Sequence, residues 1–143
     1  MAANTAPIFT KAGNVSKDNA GAMAPTLTTA AADYDGTGAN NALVFTAGAD
    51  GSFVQRLRFV AAGSNVATVA RVFINNGSTP GTAANNSPYG QVPLPLTTAS
   101  NTTATPEPDY PMNYALPAGY RIYVGLGTTV ASGWSVFPVA GNY

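Results

Sequence analysis

From Leu27 onward, short runs of alternating apolar and polar residues are separated by clusters of Gly, Asn, Asp and Pro. Alternation with a period of two marks half-buried strands, and the clusters mark turns. Strands are expected at residues 25–32, closed by Asp33-Tyr-Asp-Gly-Thr-Gly38, and at 42–47. The Asp-Gly pair in Gly48-Ala-Asp-Gly51 suits a turn with positive φ. Residues 52–62 alternate most clearly, with Phe53, Leu57 and Phe59 on one face and Val54, Arg56, Arg58 and Val60 on the other.

In residues 66–74, Val66, Ala70, Val72 and Ile74 oppose Val69, Arg71 and Phe73. Both faces are partly apolar, so this strand is expected to be central or covered on both sides. A polar loop region containing Asn75 to Gly81 and Asn85 to Pro88 follows. Residues 91–96 then alternate, but Pro93 and Pro95 each remove a backbone donor on the same side, as an edge strand allows. After a Thr/Ala/Pro loop over 97–111, strands are expected at 112–116, 120–126 and 134–139. In the second of these, Tyr120, Ile122, Val124 and Leu126 oppose Arg121 and Tyr123. About eight short strands without an amphipathic helix predict an all-β fold of antiparallel strands, a β-sandwich or jelly roll.

Residues 1–25 break the rhythm. Pro7, Gly13, Gly21 and Pro25 interrupt a scatter of Ile8, Phe9, Val15 and Met23, and the segment holds both lysines, Lys11 and Lys17. One helical turn fits Asp18 to Met23, stopped by Gly21 and Pro25. The segment reads as an extended N-terminal arm without its own core, or as a frayed terminus when no partner is present. The expected organisation is an arm over 1–25 and one all-β domain over 26–143, a length suited to a single core.

Composition narrows the chemistry. Charged residues make up 8% of the chain, against about 25% in ordinary domains. Aromatics at 10% and hydrophobics at 45% supply the apolar content that disordered chains lack. Without cysteine there is no disulfide, thiolate nucleophile or thiolate zinc site, and without histidine no Ser–His–Asp triad or imidazole ligand. Zero net charge and a pI near 6.0 provide no long-range attraction for nucleic acid or an anionic membrane. No apolar run approaches the ~18 residues of a membrane span, and the start of the chain shows no secretory pattern.

Few residues invite catalysis. The run from Asp33 to Gly38 begins like a calcium loop, yet it reaches Val44 without a further acid and reads better as an Asx-rich turn. Glu107 and Asp109 lie in a proline-flanked loop, a poor setting for paired acid and base. The expectation is therefore no enzyme, no metal and no cofactor. More informative are Arg56, Arg58, Arg71 and Arg121, all within strands. They either cover a solvated sheet face with their stems or serve a protein interface. A competing reading uses Trp134 and the seven tyrosines as a sugar-stacking platform.

The strings Asp35-Gly-Thr-Gly38, Val44-Phe-Thr-Ala-Gly-Ala-Asp-Gly-Ser52, Arg56-Leu-Arg-Phe59, Arg71-Val-Phe-Ile-Asn-Asn-Gly77, Leu116-Pro-Ala-Gly-Tyr-Arg-Ile122 and Ala140-Gly-Asn-Tyr143 carry a resemblance. From about Asp35 to Tyr143 the chain resembles the small jelly-roll capsid cement (decoration) proteins of tailed bacteriophages. The resemblance implies a non-enzymatic virion protein on the outer capsid surface, oligomeric, bridging neighbouring major capsid subunits against internal DNA pressure. Arg56, Arg58 and Arg71 match recurrent arginines of that family.

The partner expected on this reading is the major capsid protein, with no nucleic acid and no membrane. A homodimer is expected, a trimer being the alternative. Capsid-binding candidates are Ile8, Phe9, Lys11, Lys17, Arg56, Arg58 and Arg71; oligomer-interface candidates are Arg121, Tyr123 and Phe137. An arm that orders across a partner gains contact area at an entropic cost, and many copies on a lattice gain avidity. Deleting residues 1–24 is expected to abolish capsid binding while leaving β-rich circular dichroism. The alternative function is a carbohydrate- or receptor-binding β-sandwich module of a phage tail.

Overall fold

Eight strands form in the computed structural model, which describes residues 9–143. They are β1 (Ala12–Asn14), β2 (Ala42–Thr46), β3 (Ser52–Ala61), β4 (Thr68–Asn75), β5 (Asn86–Leu94), β6 (Asp109–Leu116), β7 (Arg121–Leu126) and β8 (Trp134–Asn142). Two four-stranded antiparallel sheets result, one ordered β1-β8-β3-β6 and the other β2-β7-β4-β5. They face each other as a β-sandwich whose core holds Trp134, Phe45, Phe59, Leu57, Leu94, Leu116, Ile122 and Leu126, all nearly or fully buried.

Strand β3 alternates as expected only from Leu57 on. Val54 pairs with Ala140 and Arg56 with Val139, so Gln55 is an extra residue with no partner on β8. That bulge resets the parity. Val54 is fully buried beside Leu57 and Phe59, while Phe53 turns to the outer face with Arg56, Arg58 and Val60. A second irregularity between Leu43 and Phe45 lets Val44 and Phe45 both enter the core. Strand β4 lies between β7 and β5, and the proline-bearing β5 is an edge, both as its sequence pattern demands.

Other boundaries move. Residues 25–32 do not make a strand. Leu27 bridges Trp134 in the first sheet and Ala30 bridges Leu126 in the second, so the segment crosses between sheets and pairs with neither for long. Strand β5 starts at Asn86 because hairpin pairing sets Asn86, Ser87 and Pro88 against Asn75, Ile74 and Phe73. Strand β6 starts at Asp109, which opposes Arg58, so three residues read as loop become sheet. Strand β8 runs on to Asn142 because β3 pairs with it throughout.

The eighth strand comes from the stretch read as an arm. Strand β1 pairs with Asn142, Gly141 and Ala140. The attachment is polar: the Asn14 amide donates to Thr46 O at 3.1 Å and to Asn142 Oδ1 at 3.0 Å, and Ser52 Oγ donates to Asn142 Oδ1 at 2.6 Å. Residues from Ala12 on therefore belong to the sandwich, held by amides that a search for apolar periodicity does not register. Instead of a helical turn, residues 17–22 form a loop closed by Lys17 N–H donating to Ala22 O, with Asp18 accepting from Ala20 and Ala22.

Candidate interaction surfaces

The outer faces of the two sheets differ. Over the β2-β7-β4-β5 sheet lies the chain's own loop, residues 31–41. Tyr34 stacks on the Arg71 guanidinium, 4.0 Å from carbon to ring centre, and Arg71 Nη1 donates to Ala31 O at 3.2 Å. A Cβ on Gly36 would come within about 3.1 Å of Phe73 and Asn86, and one on Gly125 would collide with Asn41 and Ala31. Beneath this loop Phe73 is buried, and Tyr123, its cross-strand partner, is buried too. Tyr123 is thus buried in the fold of this face, while Arg71, half-buried, is tied to Tyr34 and Ala31 of the chain's own loop. Their alternation was legible in sequence; the loop that covers them was not.

The acids of that loop have local work. Asp35 Oδ1 accepts from the Thr37 hydroxyl at 2.7 Å and from Thr37 N–H at 3.1 Å, an Asx turn. The hydroxyl bond, followed by the backbone bond, holds the Asp35 carboxyl below its ordinary value of 3.8. Asp33 accepts from the Asn41 amide at 3.0 Å and 3.2 Å. Among the described residues, no group of three or more acids is arranged to hold a metal ion, and no helix is long and apolar enough to cross a membrane.

On the outer face of the β1-β8-β3-β6 sheet, among the described residues, Phe137 and the side chains of Arg56 and Arg58 are each about 40% exposed. Rows of cross-strand neighbours run over it: Phe137, Arg58 and Asp109 in one, Val139, Arg56 and Pro111 in the next. Asp109 sits 3.3 Å from Arg58 Nε and 3.7 Å from Arg56 Nε, and Glu107 sits 3.5 Å from Arg58 Nη2. These are the ion pairs among the described residues. Each partner is more than a third exposed, so the pairs add little stability. What they do is cancel two positive charges with two negative ones, leaving a neutral row that ends on the half-exposed Phe137. The two carboxylates once weighed as acid and base are spent here as counter-ions.

Gly141 turns outward beside Phe53, and a Cβ there would lie 2.8 Å from Thr10 Cβ, so Thr10 packs against the sheet at that glycine. Phe9 follows directly and is 74% exposed. Lys11 is exposed, with its N–H given to Asn142 O. Lys17 lies across the loop on Thr46, whose hydroxyl donates to Lys17 O. Arg121 sits at the start of β7, opposite Thr46 and Asn75, away from Phe137. Ile8 lies outside the described residues. Of the ten candidates, then, Arg56, Arg58 and Phe137 share one surface.

Trp134 is fully buried and cannot act as a stacking platform. Three of the seven tyrosines gather between the edge strands β5 and β6. Tyr89 donates its hydroxyl to Met112 O at 3.0 Å, meets Tyr110 edge-on at 6.0 Å and lies 6.2 Å from Tyr114. Burial, with Tyr89 nearby, raises the Tyr110 phenol above its ordinary 10.0. Sequence reasoning missed this cluster because its members come from different strands; tyrosines on two edge strands were the available signal.

The chain matches no known family model, and comparison with the curated proteins and with the solved structures finds no match.

Proposed function

We propose that this protein is a capsid cement protein: a non-enzymatic, homodimeric virion component on the outer surface of a phage shell, clamping neighbouring major capsid subunits. The observation that carries the reading is the asymmetry of the sandwich. One sheet is roofed by its own loop, whereas the other presents, among the described residues, an exposed Phe137, Val139 and a charge-neutralised arginine pair. A face of that kind loses few unpaired charges to desolvation when it is covered, and arginine with aromatics is what protein interfaces favour. The winding of eight strands into two four-stranded sheets fits the jelly roll that the sequence resemblance implies. The proline-bearing edge β5 discourages uncontrolled strand addition, which matters for a protein displayed in many copies.

Co-sedimentation with empty phage shells tests this. Wild-type protein should pellet with shells to a saturable stoichiometry, and a Phe137→Glu, Arg58→Glu double variant should lose at least tenfold in affinity while keeping its melting temperature within a few degrees. Absence of saturable binding by the wild type, or full binding by the double variant, refutes the proposed face.

A further inference from the structure

We infer that the protein carries a binding site for a neutral hexose oligosaccharide in the groove between Tyr114, Tyr120 and the β4–β5 hairpin. The groove encloses about 390 Å³, within the ~300–1,000 Å³ usual for small-molecule sites. Its aromatic wall is Tyr89, Tyr114 and Tyr120; its polar wall includes Asn76, Asn85 and Ser87. This site is independent of the exposed sheet face and of the capsid reading.

Two strand irregularities build the aromatic wall. On β5, Gly90 pairs with Val72 and Pro88 with Phe73, leaving Tyr89 as the extra residue. On β6 the register slips between the partners of Val54 and Arg56, where Asn113 adopts a positive φ of 48°. Bulges at sheet edges re-aim side chains, and here they bring the two rings together at the mouth, inclined at 55°. Tyr89 is fixed by its hydroxyl bond and by Tyr110, while Tyr114 is 43% exposed and offers its ring.

The polar wall is set in advance. Asn85 Nδ2 donates to Thr79 O at 2.9 Å and its Oδ1 accepts from Asn76 Nδ2 at 3.3 Å; Asn76 Oδ1 accepts from Ser78 N–H at 3.1 Å. Each amide has two donor hydrogens and two acceptor lone pairs, so after these bonds capacity remains on both. Held in place, they contribute without the ordering cost of mobile side chains.

The chemistry selects the ligand class. No charged residue lines the groove, so neither a phosphate nor a carboxylate finds a counter-charge. An apolar ligand would leave the remaining donor and acceptor capacity of the amides unmet. A pyranose has C–H faces to lay on a tyrosine ring and hydroxyls to exchange hydrogen bonds with amides, which answers both walls. The absence of any acid from the lining removes the carboxylate pair that hydrolysis requires, so the site binds sugar without cleaving it.

Saturation-transfer NMR on the full chain with lactose, maltotriose, cellotriose and mannotriose, and with 3′-sialyllactose as the charged control, tests the inference. At least one neutral sugar is expected to show transfer, with affinity falling tenfold or more in Tyr114→Ala and in Asn85→Ala and little changed in Phe137→Glu. Both groove variants should still pellet with shells, so loss of sugar binding and loss of capsid binding are separable. No transfer from any neutral sugar, preference for the sialylated one, or transfer undiminished in both groove variants overturns the proposal.

Discussion

Asn65 shows how much one polar side chain accomplishes in a chain so poor in charge. Its Oδ1 accepts from Ser132 and Gly133 N–H at 2.9 Å and 2.8 Å, and its Nδ2 donates to Gly133 O at 2.9 Å. Its backbone exchanges bonds with Thr97, whose hydroxyl in turn donates to Gly63 O at 2.8 Å. A buried amide so fully engaged joins three loops, and truncating it strands several partners. Asn65→Ala should cost at least ~2 kcal/mol in urea unfolding, followed by the emission of Trp134, the one tryptophan; a loss below ~0.5 kcal/mol would contradict this account. Asp35 gives the pH counterpart. Its folded value lies below its unfolded one, so its stabilisation is present above about pH 4 and fades as pH falls through the lowered value. Thr37→Val should move the Asp35 titration, read by carboxyl NMR shifts, back toward 3.8.

Among the elements, β1 changes the meaning of truncation. Removing residues 1–24 deletes a strand and the Asn14 bonds to Thr46 and Asn142, so lost capsid binding would have two causes. Removing residues 1–9 spares β1. The shorter deletion is expected to leave the melting temperature within about two degrees and to weaken shell binding severalfold through loss of Phe9, whereas the longer one should lower the melting temperature clearly. Unchanged shell binding after the shorter deletion takes the arm out of the interface. The loop over 31–41 is the second decisive element, since it turns Arg71 from a candidate contact into a clasp for the fold.

For the whole molecule, size limits what the exposed face does alone. Strands of 3, 9, 10 and 8 residues at ~3.3 Å per residue and ~4.8 Å apart span somewhat under about 500 Å². A standard interface uses ~800 Å² per partner, so the proposed clamp gains from the Phe9 segment and from a second copy on the lattice. The zero net charge fits a surface meant to be covered rather than to steer partners from a distance.

By itself the sequence determined the all-β class, most turns, the central place of β4, the edge place of β5 and the arginines within strands. Those properties are local: alternation, proline and Asx chemistry act over two to four residues. Only tertiary pairing decided which face each residue meets. Gln55 moved Val54 inward and Phe53 outward because an unpaired residue on one strand shifts every side chain beyond it. Asn14 fastened the arm, the 31–41 loop engaged Arg71 above a buried Tyr123, and two bulges met to make the tyrosine groove. Each depends on partners far away in the chain, and a period of two along one strand carries no information about the strand beside it.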